Sequence, residues 1–280
     1  MRKAFTVSGA GSVQEALRYD ASLSRRMVRS IKQNGTLEVN GAVARPYERI
    51  NRGDRLIVDF PEIETPPYSP EYGPLSVVYE DEDILVIDKP ENMAMTPSAQ
   101  HPANTVVQRV LAHYEAWGWK QTVHPVNRLD RDTSGLLLIA KHPYIHSLFD
   151  RIEKPGRSYT ALVEGVPSPV QGTIRAPIAR EAGSIISRKV SDEGKAAVTY
   201  YTVTESVQNR SLVRVELETG RTHQIRVHMA HIGHPLVGDT MYGAASALSH
   251  GQALHSSKLS FIHPWTRERM QFCSCPPFLL

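Results

Sequence analysis

The sequence predicts an α+β protein in two parts: a small α+β N-terminal domain and a larger one on a mostly antiparallel mixed β-sheet with flanking helices. Three observations carry this reading. After residue 75, short segments of strand-type alternation follow in hairpin order with helix-type stretches inserted. A proline- and glutamate-rich segment, PEIETPPYSPEYGP from Pro61 to Pro74, separates them from what precedes. The charge divides at the same place. Up to Pro61 there are 11 Lys+Arg against 6 Asp+Glu, a balance of +5, and the remainder holds 21 against 23, a balance of −2. The expected division of the 280 residues is a domain over 1–62, a linker over 63–74 and a second domain over 75–280.

In the first part, a Ser22 or Ser24 cap opens a helix that runs to Gly35. Met27, Val28 and Ile31 form its apolar stripe, and Arg25, Arg29 and Lys32 follow i, i+4, i+7 on another face. This basic ridge is either a solvated surface or a polyanion contact. The strand TLEV, a turn at Asn40-Gly41 and an alternating strand in RGDRLIVDF complete the module. In the second part, LSVVYEDEDILVIDKP reads as strand, acidic turn, strand, with Val77/Tyr79 and Ile84/Val86 alternating. Further strands are expected at 136–141, 158–165, 197–206 and 212–219, and helices at 104–117, 143–152 and 222–231, the last with Thr222 as N-cap.

Composition narrows the function classes. With 41% hydrophobic and 22% charged residues, no 18-residue apolar run and no apolar stretch behind the basic start, the expectation is a cytoplasmic protein without a membrane span. Cys273 and Cys275 are too few for a disulfide framework and read as reduced thiols.

Two clusters concentrate polar chemistry. In NRLDRDTSG (127–135), Arg128 and Arg131 alternate with Asp130 and Asp132 ahead of the apolar strand LLLIAK. Such a loop can hold a charged side chain at the edge of a core, or close as a salt-bridged turn. In ETGRTHQIRVHMAHIGHPLVGDTMYG (218–243), Ile225, Met229 and Ile232 form a helical stripe, Arg226 lies on the polar side, and Gly233 and Pro235 end the helix. Four histidines, His223, His228, His231 and His234, invite a metal reading. Their spacing lacks the i, i+4 face and the interleaved acid of a zinc helix, so no metal is expected.

Taken together, NRLDRDTSGLLLIAK, GRSYTALVEG, GRTHQIRVHMAHIGHPLVGDTMYG, ALHSSKLSFIHP and the strand pair YEDEDILVIDKP resemble the RluA-type pseudouridine synthases in order and spacing over residues 75–275. Residues 23–60 resemble the ribosomal-protein-S-four-like (alpha-L) RNA-binding module. The resemblance implies an isomerase that detaches uracil from ribose and rejoins it through a ring carbon, without a cofactor. It implies RNA as partner, ribosomal RNA of the large subunit first and transfer RNA second, and a monomer is expected. It makes Asp130 the essential carboxylate, Arg226 its basic partner and Tyr159 the active-site tyrosine. Arg128 becomes the arginine that enters the stack vacated by a flipped uridine, Leu129 and Ile225 the dry wall, and Arg221 a phosphate contact or a part of the pocket. Arg25, Arg29 and Lys32 then face RNA. With the second domain nearly neutral, Arg128, Arg221 and Arg226 are expected to grip the RNA there. Two positions depart from the family pattern: Asn127 stands where histidine is usual, and Arg157 where lysine is common. Asn127 alone supports a rival reading as a non-catalytic RNA-binding factor, and the histidines alone support a metal-dependent hydrolase.

Overall fold

The computed structural model describes residues 1–61, 67–119, 121–244 and 251–279. Its N-terminal part consists of β1 (Arg2–Thr6), β2 (Gly11–Ser12), α1 (Val13–Tyr19), α2 (Arg25–Asn34), β3 (Thr36–Val39), β4 (Ala42–Val43), β5 (Arg49–Ile50) and β6 (Arg55–Asp59). The strands β1, β6, β3 and β4 pair in that order into an antiparallel sheet, and β2 pairs with β5. Ser24 is the cap of α2, its hydroxyl accepting from the Met27 amide at 3.2 Å. Asn40 and Gly41 both take positive φ, 52° and 86°, as a tight hairpin turn with a right-handed strand twist requires. The helix α1 was not anticipated. Its signal is local: Ser12 and Glu15 form a reciprocal capping box.

The rest comprises β7 (Val77–Glu80), β8 (Ile84–Lys89), α3 (Val106–Ala116), β9 (His124–Pro125), β10 (Ser134–Ala140), α4 (Pro143–Phe149), β11 (Gly156–Glu164), β12 (Gln171–Arg175), β13 (Ile178–Arg180), β14 (Arg188–Val190), β15 (Val198–Val207), β16 (Arg210–Leu217), α5 (Gln224–His231), β17 (Leu254–Ile262) and β18 (Arg269–Cys273). Ten strands make one sheet in the order β12-β15-β16-β11-β17-β10-β8-β7, with β18 beside β17 and β9 beside β10. Every pairing is antiparallel except β10 with β17. This is the mixed, mostly antiparallel sheet expected.

At that parallel junction Gly135 has φ +104°, and a Cβ there would lie 2.4 Å from the Ser256 carbonyl oxygen. Only glycine allows the two backbones to approach so closely. The loop 127–133 therefore feeds directly into this close contact between β10 and β17.

The expected alternation in β8 does not hold: Ile84, Leu85, Val86 and Ile87 are all buried. The reason is that both faces of the sheet are covered. Leu85 and Ile87, with Leu137 and Ile139 of β10, pack on the side of α3 and α5. Ile84, Val86, Leu136 and Leu138 pack on the other side in one cluster with Leu17, Ile31, Leu56 and Phe60 of the N-terminal part. The two parts thus share a core. Across this junction Lys3 Nζ sits 2.6 and 2.8 Å from the two oxygens of Asp83, Tyr144 donates its hydroxyl to the Ala21 carbonyl at 3.0 Å, and the Phe60 and Tyr144 rings stack at 4.9 Å.

The expected linker falls partly on residues 62–66, which lie outside the described residues. Residues 67–74 hold no helix or strand, yet they are anchored: the Glu71 carboxylate accepts from the Asn104 amide at 2.6 Å ahead of α3, and Glu71 pairs with Arg109 at 3.3 Å. Among the described residues, no helix is long and apolar enough to cross a membrane.

Candidate active site

One cleft of about 520 Å³ brings together Asp130, Arg128, Leu129, Tyr159, Arg221, Ile225 and Arg226, seven residues singled out by sequence over a span of almost a hundred positions. The loop 127–133 is built outward from Asn127. Its Oδ1 accepts from the Leu138 amide at 2.8 Å, locking the start of the loop to β10. A histidine could offer a ring-nitrogen acceptor to the same amide, so Asn127 keeps a structural bond that does not require titration. Below the loop, the buried ammonium of Lys89 donates to the carbonyls of Pro90, Met93 and Arg131 at 2.8, 3.0 and 2.9 Å. Burial pushes the Lys89 ammonium down to about 7, against the pull of Asp132 and Asp130. The turn closes with the Thr133 amide donating to the Asp130 carbonyl at 3.1 Å. Arg131 turns away and pairs with its neighbour Asp132 at 2.8 Å. That pair is the salt-bridged turn the pattern allowed, and it leaves the Asp130 side chain free to face the cleft, 29% exposed.

The helix α5 supplies the opposing wall, with two corrections to the sequence reading. Thr222 is not its cap. His223 holds the N-cap position in the left-handed region, φ 57°, without a side-chain cap bond. Gln224 organises the helix start instead: its Oε1 accepts from the Arg221 amide and the Thr219 hydroxyl, both at 2.9 Å, and its Nε2 donates to Val198 O and Thr199 Oγ1, both at 3.0 Å. Arg226 lies on the polar side of the helix, as expected, but that side is buried. The residue is 7% exposed, so the expected grip on a phosphate backbone is ruled out. The helix is buried nearly all round because β14 and β15 pack beside it.

What Arg226 touches decides its role. Nε and Nη2 make a two-pronged pair with Asp239, at 2.7 and 2.9 Å, and Nη1 lies 3.5 Å from Asp130 Oδ2. Burial works against the guanidinium's charge, but the hydrogen bonds and charge of Asp239, then Asp130, outweigh it and raise its pKa. Asp239 itself is 2% exposed. Sequence reasoning quoted GDTMYG without giving this aspartate a task, although a buried arginine demands a carboxylate partner.

His223, offered by sequence only as a metal candidate, lies beside Asp130 with Nε2 3.9 Å from Oδ2. The Tyr242 hydroxyl accepts from the Arg188 amide at 2.9 Å and shares a hydrogen bond with His223 Nδ1, 2.8 Å away. That bond holds the His223 imidazole in place beside Asp130. Burial holds its pKa below the ordinary histidine value despite Asp130, so it is neutral at pH 7. His228 and His234 are occupied elsewhere: His228 bonds Thr199 Oγ1 and Ala176 O at 2.8 and 2.9 Å, and His234 bonds Glu164 O at 2.9 Å. Among the described residues, no three His, Cys, Asp or Glu side chains gather around a common point that could hold a metal ion.

Tyr159, on β11, is buried beside the cleft in one apolar cluster with Leu129 and Ile225. Burial raises its phenol pKa while Arg157 pulls it back, so the hydroxyl stays protonated at neutral pH. Arg128 and Arg221 stand exposed at the rim, and the Arg221 Nε donates to Ala196 O at 3.0 Å. Lys154 and Arg157 complete the basic rim. Arg25, Arg29 and Lys32 lie elsewhere, exposed along α2, with Lys32 Nζ bonded to Gln14 Oε1 at 3.0 Å. A half-exposed carboxylate between apolar walls, one buried guanidinium and a ring of outer cations make a pocket suited to a planar polar ring on a polyanion.

Comparison with known proteins agrees with that chemistry. The profile described as RNA pseudouridylate synthase matches residues 83–231. The chain is 44% identical over 258 residues to a Bacillus subtilis protein named as the RNA pseudouridine synthase YjbO, covering 90% of this chain and 91% of that one. It is 37% identical to the ribosomal large subunit pseudouridine synthase D of Pseudomonas aeruginosa, covering 98% of this chain and 90% of the other. Among solved structures it resembles human RNA pseudouridylate synthase domain containing 1, with a TM-score of 0.60, 27% identity, and coverage of 75% of this chain and 87% of that one. With the motifs, the mixed sheet and the matched profile in agreement, this chain belongs to the RluA-type RNA pseudouridine synthases, isomerases that convert uridine in RNA to pseudouridine.

Proposed function

We propose that this enzyme modifies uridines of large-subunit ribosomal RNA in the cytoplasm, acting on a base flipped into the 520 Å³ cleft with Asp130 as its essential group. The observation that carries this reading is the placement of Asp130: a partly exposed carboxylate on the cleft wall, with one guanidinium nitrogen of Arg226 at 3.5 Å and apolar Leu129 and Ile225 beside it. Isomerisation requires the glycosidic bond to break and the freed uracil to turn before it rejoins through carbon. An ionised carboxylate can attack the ribose or the base, or remove a sugar proton. Apolar walls strengthen its interaction with Arg226 by excluding water. Tyr159 offers a ring face for the uracil and a protonated hydroxyl as hydrogen-bond donor. Extruding the base costs a few kcal/mol. Arg128, exposed at the rim two residues from Asp130, fills the vacated stack, and Arg221, Lys154 and Arg157 contact phosphates in its place of entry. The large-subunit assignment rests on the named Pseudomonas relative. The N-terminal part acts as an alpha-L-type RNA-binding module through Arg25, Arg29 and Lys32.

The test is release of tritium from ribosomal RNA labelled at the uracil carbon that becomes glycosidic. Release is expected with or without chelator, and Asp130→Asn abolishes it. Release that survives Asp130→Asn overturns the reading. Pseudouridine maps of ribosomal and transfer RNA from a deletion strain and its parent locate the substrate, and a loss confined to transfer RNA overturns the ribosomal assignment.

A further inference from the structure

We propose that Asp239 is a positioning residue for the reaction: it fixes the guanidinium of Arg226 so that a single nitrogen faces Asp130. The inference rests on the reading of Asp130 given above and extends it to a residue with no contact to the cleft.

An arginine beside one aspartate would form the bidentate pair that guanidinium and carboxylate favour. Here that arrangement is spent on Asp239, at 2.7 and 2.9 Å, and the Asp130 contact is a single one at 3.5 Å. The remaining surroundings hold the guanidinium in this orientation. Tyr242 presents its ring with its centre 5.0 Å from Arg226 Cζ, and Met241 Sδ lies 3.8 Å from Nη2. Two carboxylates thus share one cation. Asp130 keeps an oriented partner without being tightly neutralised, and its reactive oxygen is not clamped by a second N–H bond.

The turn that carries Asp239 is itself anchored to the strand that carries Tyr159. The Val237 amide donates to Leu162 O and the Ala253 amide to Val237 O, both at 2.9 Å, and the Asp239 amide closes onto Leu236 O at 3.0 Å. Asp239 is therefore registered to β11 and, through Arg226, sets where Asp130 stands relative to Tyr159. A misplacement of about 1 Å at a distant support can cost roughly a hundredfold in rate.

The experiment measures kcat and KM for tritium release together with thermal midpoints. Asp239→Asn is expected to lower kcat by roughly 10- to 100-fold and to leave KM for RNA within about twofold, because the cleft rim is untouched. In single turnover, the same change made on top of Arg226→Met is expected to add no further loss, since the residue acts through Arg226. Equal losses in both backgrounds overturn the proposal, as does an unchanged kcat with only a lower midpoint. Asp239→Glu keeps the charge and moves the carboxylate by one methylene. It decides the matter if the asparagine variant does not fold or the double variant falls below detection: a lowered kcat at near-native midpoint supports positioning, and a wild-type kcat overturns it. A failure of the Asp130 reading shows itself separately, as release that survives Asp130→Asn.

Discussion

Two buried ion pairs join distant segments of this chain, and they are built to opposite ends. At the junction of the N-terminal part with the large sheet, Lys3 meets Asp83 with both side chains 5% exposed, one cation between the two oxygens of one anion, and the Trp265 ring 4.7 Å from the ammonium. In the cleft, Arg226 is divided between Asp239, 1% exposed in its side chain, and Asp130, 29% exposed. The first pair is matched one to one and closed to water. The second leaves a carboxylate under-paired and open to a ligand. A saturated pair gives registry, whereas an unsaturated one leaves a charge available for chemistry. Counting the anions per buried cation separates the structural site from the reactive one better than burial does, because both cations are buried.

The sharpest way to break this comparison is at the closed pair. Asp83→Ala leaves the Lys3 ammonium buried without its partner, which is expected to cost about 3–5 kcal/mol of stability. Replacing both residues together, Lys3→Met with Asp83→Leu, is expected to restore much of that loss. Denaturant unfolding of the three proteins measures it, and tritium release on a short substrate should persist in whichever variant is folded. A double variant as unstable as the single one would mean that the pair contributes more than registry.

A smaller effect is expected from acid, and at the same junction. His142 caps α4, its Nδ1 accepting from the Tyr144 amide at 3.1 Å, and its ring lies edge-on to Phe60 at 5.1 Å. Burial, then the N-terminal ammonium, His124 and Lys3, push its pKa down to about 3. Between the unfolded value of about 6.5 and that folded value the unfolded chain binds a proton that the folded one refuses, so stability falls as pH falls, by up to about 1.4 kcal/mol per unit. His142→Asn keeps a cap acceptor and removes the titration. Its unfolding free energy should fall less steeply than the wild type's from pH 6.5 towards pH 4, and parallel slopes would exclude His142 as the acid-sensitive group.

Local signals made much of this fold legible. The α2 cap, the Asn40-Gly41 turn and the strands β10, β11, β15 and β16 follow from residue type and alternation alone. Besides α1, whose capping box is a local signal, the elements that escaped include strands whose stability is not local. The strand β17 carries Ser256 and His255 at buried positions, where bonds from Ser256 to the Leu136 carbonyl and from the His255 ring to Ser134 and Ser274 make those polar residues acceptable inside a sheet. The short strands β2, β5 and β9 exist only as partners of distant segments. In the site, motif position brought out Asp130, Tyr159 and Arg226, but not what Arg226 does. Helical spacing placed it on the polar side, outside the stripe of Ile225 and Met229, and that side is closed by Asp239, Met241, Tyr242 and Asp130. Asp239, 13 residues away, becomes visible as its partner only when the turn after α5 folds back.

The smallest expected effect concerns the exposed ridge, where cations have no buried anion to answer to. Arg25, Arg29 and Lys32 sit on the part that packs against one face of the large sheet, while Leu129, Tyr159 and Ile225 cluster on the other. An RNA that touches both must pass around the sheet, so the ridge can add affinity without setting the uridine relative to Asp130. Replacing all three by alanine should flatten the slope of log K against log salt by roughly 2 to 3, at about 0.7–0.9 for each lost phosphate contact. It should leave kcat on a short oligonucleotide unchanged, because such a substrate spans only the cleft. An unaltered slope would show that the ridge is solvated surface, and a lowered kcat on the short substrate would show that the two faces are coupled. The three side chains belong to a helix whose buried residues, Val28 and Ile31, are not altered. Apart from the Lys32 bond to Gln14, the alanine variant therefore tests charge, at the end of the molecule where charge is least constrained by packing.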